Sequence, residues 1–262
     1  MILAIDAGNT HIVFGCIEGE EIRQIFRAAT DIRMTADELA VKLKMFLEFA
    51  GLEPDSFEGA ILSSVVPPIN TPLKDAVKMV TGLDVMCVSA GLKTGLNILI
   101  DNPAQLGADL VAGAVAALYK YSAPLIIFDM GTATTISVIS RKGGYLGGAI
   151  VPGVVLSLNA LSSGTSQLPK VSLEPPKRCI GTNTIDCMRS GVVFSAAAMM
   201  DGMIDRIEEE LGYPATVVAT GGIASSIVPH CRHKVICDSN LLLTGLAVLY
   251  RKNKPQERAQ RS

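Results

Sequence analysis

Short apolar runs separated by polar turns dominate the start of the chain. One run extends from Ile2 to Ile5 and ends at Asp6, and a second begins at Ile12 after the turn Gly8-Asn9-Thr10. Because β-branched runs separated by a Gly/Asn turn are typical of hairpins, this pattern predicts two antiparallel strands. A third strand is predicted around Ile22 to Arg27.

Start and stop residues predict two helices in the first half. Thr35 and Glu38 form a capping box for a helix that reaches about Ala50 and ends at Gly51. Thr71-Pro72 predicts the start of the next helix, with proline at its first position. Two further strands are expected at residues 59–66 and 84–89. The resulting order, βββαβαβ, predicts an α/β domain with a mixed sheet.

The second half repeats the pattern of the first hairpin. A strand from Ile126 ends at Asp129, and Gly131 and hydroxyl residues precede a second strand that runs to Val138. Two copies about half a chain apart indicate a duplicated fold with one such hairpin in each half. We therefore expect an N-terminal domain over residues 1–120, a C-terminal domain over 121–252 and a mobile tail over 253–262.

Helices are also predicted in the second half. One helix follows Gly153, a second extends from Thr184 to about Leu211, and a third covers Asn240 to Tyr250. The small-residue stretch from Ala196 to Met200 is expected to be deeply buried, and a subunit interface is one possible reason.

The residues of the first turn suit the binding of phosphate. Gly8 allows a ligand to approach the backbone closely, and Asn9 and Thr10 can donate hydrogen bonds. Asp6 can organise a hydrated cation. The alternative is an ordinary hairpin turn.

The sequence allows two interpretations of Asp109. It lies in the first turn of a predicted small-residue helix, where the helix dipole stabilises a carboxylate, so it can be a capping residue. It can also be a catalytic base, because Gly107-Ala108 leaves room beside it for a substrate. The sequence favours the catalytic reading.

Composition limits the class of protein. The 262 residues suffice for two domains, and 49% hydrophobic against 18% charged residues indicates a folded chain. A net charge of −2 without a basic run argues against a nucleic-acid partner. Six scattered cysteines without a C-x-x-C pair suggest reduced thiols and a cytoplasmic protein. No signal peptide and no membrane span are expected.

A cluster near the C-terminus mixes three potential metal ligands, His230, Cys231 and His233. No second cluster completes a tetrahedral set, so we interpret them as surface residues rather than as a zinc site.

The paired hairpins resemble those of the superfamily of actin, hexokinase and the heat-shock ATPases, in which ATP lies in a cleft between two similar domains. Within that superfamily the chain resembles the type III pantothenate kinases over nearly its whole length. Seven motifs carry the resemblance: Asp6-x-Gly-Asn-Thr10, Ser63-Ser-Val-Val-Pro-Pro68, Asn102-Pro103 with Gly107-Ala-Asp109, Asp129-x-Gly-Thr-Ala-Thr134, Gly147-Gly-Ala-Ile-x-Pro-Gly153, Leu168-Pro169 and Gly181-x-Asn-Thr184. The P-loop signature G-x-x-x-x-G-K-[ST] is absent, which excludes a P-loop kinase.

The resemblance implies ATP-dependent phosphorylation of pantothenate, the first step of coenzyme A biosynthesis, by a cytoplasmic homodimer. It implies Asp109 as the general base, Asp129 as ligand of a potassium or ammonium ion, and magnesium with the ATP. The implied ATP-binding residues are Asp6, Ala7, Gly8, Asn9, Thr10, His11, Ile12, Val13 and Thr132. The implied substrate-binding residues are Ile100, Gly107, Ala108, Asp109, Leu110 and Thr184, and the pocket is expected near the subunit boundary.

Two positions depart from the family pattern. The family usually has Arg where this chain has Leu110, and Tyr where it has Ile100. Both positions face pantothenate in the family, so a cationic donor and a phenol hydroxyl are missing together. Two alternatives therefore stay open: a kinase for another small hydroxylated acceptor, and a non-catalytic regulatory or accessory protein that keeps the fold.

Overall fold

The computed structural model describes residues 1–254 and confirms the α/β class with two mixed sheets and flanking helices. The strands are β1 Ile2–Ala7, β2 His11–Glu18, β3 Glu21–Ala29, β4 Gly59–Ser64, β5 Val85–Cys87, β6 Asn97–Ile98, β7 Leu125–Met130, β8 Ala133–Ile139, β9 Gly144–Pro152, β10 Thr216–Thr220 and β11 Ile236–Cys237. The α-helices are α1 Ala36–Ala50, α2 Asn70–Thr81, α3 Ala108–Lys120, α4 Val154–Ser163, α5 Thr184–Leu211, α6 Ala224–Ile227 and α7 Leu241–Asn253. Residues 255–262, most of the predicted mobile tail, lie outside the described part.

The chain forms two compact units. The first contains residues 1–95, 104–116 and the stretch from 242 onward, and the second contains 96–103 and 117–241. This grouping differs from the expected division at residue 120: residues 96–103 and 117–120 belong to the second unit, and the last helix belongs to the first. The helix α7 belongs to the first unit because Tyr250 donates a hydrogen bond to the Glu58 carbonyl, 3.1 Å away.

The first sheet has the order β3-β2-β1-β4-β5, with β1 antiparallel to β2 and parallel to β4. One face is apolar and packs against α1 and α2; Leu3, Ile5 and Ala7 lie in this core and are fully buried. The predicted capping box at Thr35 is present, and Gly51 ends α1 in the left-handed conformation. These contacts make β1 a central strand, held on both edges and covered on this face.

The opposite face of the first sheet is covered by α7. A Cβ at Gly15 would lie 2.9 Å from Leu243, and one at Gly59 would overlap Tyr250, so α7 fits only because both strand positions are glycine. A Cβ at Gly245 would likewise lie 2.0 Å from the Ala112 carbonyl oxygen, which shows that α3 packs closely on α7. Both helices therefore lie on the same side of the first sheet.

The second sheet has the order β11-β10-β7-β8-β9-β6. One face packs against α4 and α5 in a core that includes Phe128, Ile136 and Val193. Ala196, Ala197 and Met200 belong to this same core and are at most 9% exposed. The predicted burial is therefore confirmed for these three residues and is explained by packing within one chain, without a subunit interface. It is wrong for Ala198, which is exposed.

The structure differs from the predicted secondary structure at the start of α2 and in the strands β6 and β11, which were not predicted. Helix α2 begins at Asn70 rather than at Thr71-Pro72, because a 3₁₀ turn, Pro67–Ile69, runs directly into it and no side chain caps it. Strand β6 was not predicted; it pairs in parallel with β9 in the second sheet although it precedes α3 in sequence. Among the described residues, no helix is both long and apolar enough to cross a bilayer.

A buried carboxylate, Asp238, ties two segments of the second unit together. It lies between β11 and α7, is 8% exposed, and accepts hydrogen bonds from Lys120 and from the Tyr121 hydroxyl, the latter at 2.8 Å. Burial alone would raise the pKa of Asp238, but the bonds from Lys120 and Tyr121 outweigh it and hold that pKa below its usual value. The ionised form is therefore stabilised in the folded protein.

We expect Asp238→Asn to lower the free energy of unfolding by about 1.5–3 kcal/mol at pH 7, because the amide loses the charge-assisted bonds. A depressed pKa stabilises the fold above the unfolded value of 3.8 and this contribution is lost as the pH falls through the folded value. Urea unfolding at pH 7, 5, 4 and 3 should show the difference from wild type shrinking below about pH 4.

The matched control is Asp84→Asn, which removes the partner of Lys78 where the Asp84 side chain is 92% exposed. Such a surface pair contributes about 0–1 kcal/mol, so the control should change little. A destabilisation by Asp238→Asn that stays constant down to pH 3 would contradict the assignment.

Candidate functional site

The turn between β1 and β2 is closed by its own backbone. The Gly8 N–H donates to the His11 carbonyl at 3.0 Å, and Asn9 and Thr10 are exposed at the tip. Ala7 and Ile12, on either side of the turn, are fully buried in the apolar core. Their side chains cannot reach a ligand, so any contact that they make with one must come from their backbone.

Thr30, the residue directly after β3, holds this turn through two hydrogen bonds. The Thr30 hydroxyl donates to the Gly8 carbonyl at 2.7 Å, and the Thr30 N–H donates to the Thr10 carbonyl at 3.0 Å. Thr30 was not among the predicted site residues. No local pattern marks it, because its role depends on the pairing of β2 with β3.

Asp6 lies at the carboxyl end of β1 and is half-buried. Its side chain is on the sheet face opposite Ile5 and Ala7, which is the face covered by α7 and α3. Its register partner on β4 is Ser63, so the two side chains are neighbours on the same face. Ser63 is fully buried, and within residues 1–254 its hydroxyl oxygen has no hydrogen-bond partner. Ser63 belongs to one of the seven motifs but was not among the predicted site residues.

The second hairpin places Asp129 in an equivalent position. Its register partners are Thr135 on β8 and Thr220 on β10, so a carboxylate is flanked by two hydroxyl residues on one face of the second sheet. Thr220 is 1% exposed. Carboxylate and hydroxyl oxygens are hard donors, which suit alkali or alkaline-earth cations rather than zinc.

The second turn is one residue shorter than the first. The Gly131 N–H donates to the Ala133 carbonyl at 3.1 Å, and Thr132 is exposed at its tip. The Gly153 N–H braces the turn by donating to the Thr132 carbonyl at 3.1 Å. A Cβ at Gly153 would lie 2.2 Å from that oxygen and 2.5 Å from the Gly131 oxygen, so this position must be glycine.

Asp109 is the second residue of α3 and is half-buried. One carboxylate oxygen, Oδ1, accepts the Leu110 N–H at 2.8 Å. A Cβ at Gly107 would lie 2.5 Å from the same Oδ1. The absence of a side chain at Gly107 therefore leaves room for the Asp109 carboxylate itself. The prediction was that it leaves room for a substrate beside that carboxylate.

The predicted residues fall into two groups. The first unit contains the β1–β2 turn and the segment Gly107 to Leu110, and it places Asp6 and Asp109 on the same side of one sheet. The second unit contains Ile100, Asp129, Thr132 and Thr184. Thr184 is the exposed first residue of α5, directly after the N-cap Asn183.

The cluster of His230, Cys231 and His233 has partners of its own. The His230 ring packs edge-on against Phe194, with centroids 5.2 Å apart, and His233 Nε2 lies 2.8 Å from Asp205 Oδ1. Burial, with a smaller contribution from Asp201, raises the pKa of the Cys231 thiol to about 11. The two imidazoles thus contact separate partners, Phe194 and Asp205.

Comparison with known families gives one match over most of the chain. The family model described as type III pantothenate kinase matches residues 2–206. A type III pantothenate kinase from Moorella thermoacetica is 40% identical over 255 residues, which cover 97% of this chain and 100% of that protein. One from Exiguobacterium sibiricum is 42% identical over 254 residues, with coverage of 97% and 100%.

Solved structures share the fold at low sequence identity. A Campylobacter jejuni protein assigned to the Baf family of transcriptional activators has a TM-score of 0.57 at 21% identity, covering 96% of this chain and 98% of that one. A Sinorhizobium meliloti protein assigned as a 2-dehydro-3-deoxygalactonokinase has a TM-score of 0.61 at 10% identity and covers both chains completely. At these identities the likeness concerns the fold alone.

Proposed function

The chain belongs to the type III pantothenate kinase family, and we propose how its residues divide the work of that reaction. The activity is ATP-dependent phosphorylation of pantothenate to 4'-phosphopantothenate, the first step of coenzyme A biosynthesis. The observation that carries the residue assignment is the arrangement of the first unit, where the phosphate-type turn and a helix-terminal carboxylate lie on the same side of one sheet.

Phosphoryl transfer requires mainly positioning and charge stabilisation. A divalent metal ion such as magnesium, bound with ATP, would supply positive charge that neutralises the phosphates. Asp6 would hold this ion through its water ligands. Gly8, Asn9, Thr10 and His11 would contact phosphate oxygens, and Ala7, Ile12 and Val13 would contribute through the backbone. Thr132 would contact ATP from the second turn.

Asp109 would act as the general base. One oxygen, Oδ1, is already engaged by the Leu110 N–H, and that bond fixes the carboxylate plane. The other oxygen of Asp109 can then accept the proton of the acceptor hydroxyl, while the hydroxyl oxygen bonds the γ-phosphorus and the bond between that phosphorus and the departing ADP breaks. Ile100, Gly107, Ala108, Leu110 and Thr184 would contact pantothenate.

We expect Asp109→Asn to lower turnover by about 10²–10⁴-fold, because the amide cannot accept the proton. The amide oxygen can still accept the Leu110 N–H, so ATP affinity should stay close to wild type. Coupled ADP release and calorimetry with ATP measure the two quantities. The control is Asp101→Asn, an exposed carboxylate in the preceding loop. Near-normal turnover of the Asp109 variant would remove Asp109 from the base role.

Asp129 would bind a monovalent cation, potassium or ammonium, together with hydroxyl oxygens. The support is its position between Thr135 and Thr220 in register across three strands. A large monovalent ion accepts neutral oxygen donors, so one carboxylate with hydroxyls fits it. We expect activity to fall when sodium replaces potassium, and Asp129→Ala to abolish the difference between the two salts. Equal rates in both salts with the wild-type protein would contradict the assignment.

The protein would act as a cytoplasmic homodimer. The six free cysteines fit a reducing compartment. Apolar side chains are exposed on β9, on α4 and around the start of α5; they include Ile150, Leu156, Ile180 and Ile185. Exposed apolar side chains of this kind are typical of protein interfaces. A single-chain mass by light scattering at micromolar concentration would contradict the dimer.

Acceptor binding would be weaker than in family members that carry Arg and Tyr at these positions. Leu110 cannot pair with the pantothenate carboxylate, and a charge-assisted hydrogen bond contributes about 1.5–3 kcal/mol. The backbone amides at the start of α3 and Gln105 are the available replacements. A kinase for a different small hydroxylated acceptor stays the second candidate, favoured by these two apolar residues.

We expect the Michaelis constant for pantothenate to be raised by about ten- to a hundred-fold, with turnover less affected. The double variant Leu110→Arg with Ile100→Tyr should lower that constant, whereas Leu110→Met, of similar volume and no charge, should not. Steady-state kinetics with pantothenate, pantetheine and related acceptors measure this. A pantothenate affinity that is already ordinary, and that worsens in the double variant, would show that the pocket has been rebuilt.

A further inference from the structure

The two hairpin turns are braced at equivalent positions by different chemistry. Thr30 follows the residue of β3 that pairs with His11, and Gly153 follows the residue of β9 that pairs with Ala133. Each donates its N–H to the carbonyl of the residue just before that paired strand residue, Thr10 or Thr132, at 3.0 and 3.1 Å. Each unit therefore contains its own copy of this backbone hydrogen bond.

The side chains at these positions differ. At Gly153 the turn oxygens approach so closely that no Cβ fits. In the first unit the turn is one residue longer, and the Thr30 side chain donates a 2.7 Å hydrogen bond to the Gly8 carbonyl. Thr30 thus holds two carbonyls of the same turn, one with its hydroxyl and one with its backbone.

Holding these carbonyls fixes the direction of two N–H groups. The C=O of Gly8 belongs to the same planar unit as the N–H of Asn9, and the C=O of Thr10 to that of His11. Both peptides are trans, so each N–H points away from its own carbonyl and therefore away from Thr30. Two neighbouring N–H groups that both point away from Thr30 are suited to bind an anionic oxygen on that side of the turn.

We propose that Thr30 is a positioning residue that orients the Asn9 and His11 N–H groups of the first turn toward the phosphates of ATP. This inference rests on the proposed ATP site. Without the hydroxyl, the Gly8–Asn9 peptide loses its anchor and can rotate, so phosphate binding weakens while the acceptor side of the reaction is unaffected.

The test compares Thr30→Val, which keeps the β-branched shape and the backbone N–H, with Thr30→Ser, which keeps the hydroxyl. The matched control is Thr81→Val, because Thr81 is also partly buried and its hydroxyl donates to the Val77 carbonyl at 2.8 Å at the end of α2. The readouts are the Michaelis constants for ATP and pantothenate, turnover, the melting temperature, and the affinities for tripolyphosphate and for adenosine.

We expect Thr30→Val to raise the Michaelis constant for ATP about three- to ten-fold, the range of one lost hydrogen bond. Tripolyphosphate should weaken by the same factor, whereas adenosine affinity and the constant for pantothenate should stay unchanged. Thr30→Ser should behave like wild type. Thr81→Val should lower the melting temperature as much as Thr30→Val does, without changing the constant for ATP.

Several results would overturn the proposal: an unchanged constant for ATP in Thr30→Val, an equal rise in both constants, or a Ser variant as impaired as Val. A wild-type chain that binds ATP but does not phosphorylate pantothenate would refute the proposed function, while the binding comparison would still decide the role of Thr30. A wild-type chain with no affinity for ATP or tripolyphosphate would contradict both.

Discussion

The candidate site depends on one constraint: the first strand of each hairpin is hydrogen-bonded to a neighbouring strand on both of its edges. Strand β1 lies between β2 and β4, and β7 lies between β8 and β10. A strand bonded on both edges cannot shift without breaking two ladders, so these ladders fix the backbone position of the residue that carries the carboxylate. Asp6 and Asp129 both have this support. The parallel partner of each is a buried hydroxyl residue, Ser63 or Thr220.

The two units show how one backbone plan can carry two chemistries. The first turn is longer and pairs Asp6 with Val13, whereas the second is shorter and pairs Asp129 with Thr135. Val13 offers no oxygen atom beside Asp6, whose hydroxyl neighbour is Ser63 on β4. A hydroxyl neighbour adds a direct oxygen donor beside the second. These differences agree with a divalent ion at the first hairpin and a monovalent ion at the second, which the proposed function assigns to them.

Local signals predicted most of the fold. The hairpins, the capping box at Thr35 and the stop at Gly51 are determined by neighbouring residues, and the structure confirms all of them. The failures concern non-local features. The two-residue strand β6 exists only through its pairing with β9, and Thr30 reaches the first turn only through the register of β2 with β3. The burial of Ala196 and Met200 was predicted correctly, but burial alone cannot distinguish a core from an interface.

Asp109 shows why the capping and catalytic interpretations need not exclude each other. A carboxylate at a helix start can accept hydrogen bonds from the backbone N–H groups around it, and here Oδ1 accepts the Leu110 N–H. The same bond fixes the carboxylate's plane and leaves the second oxygen to accept a proton. Gly107 has no Cβ that would displace Oδ1, so the geometry depends on the backbone. In its proposed role as base, Asp109 would lose little entropy on reaching its reactive orientation, because the start of the helix already holds it.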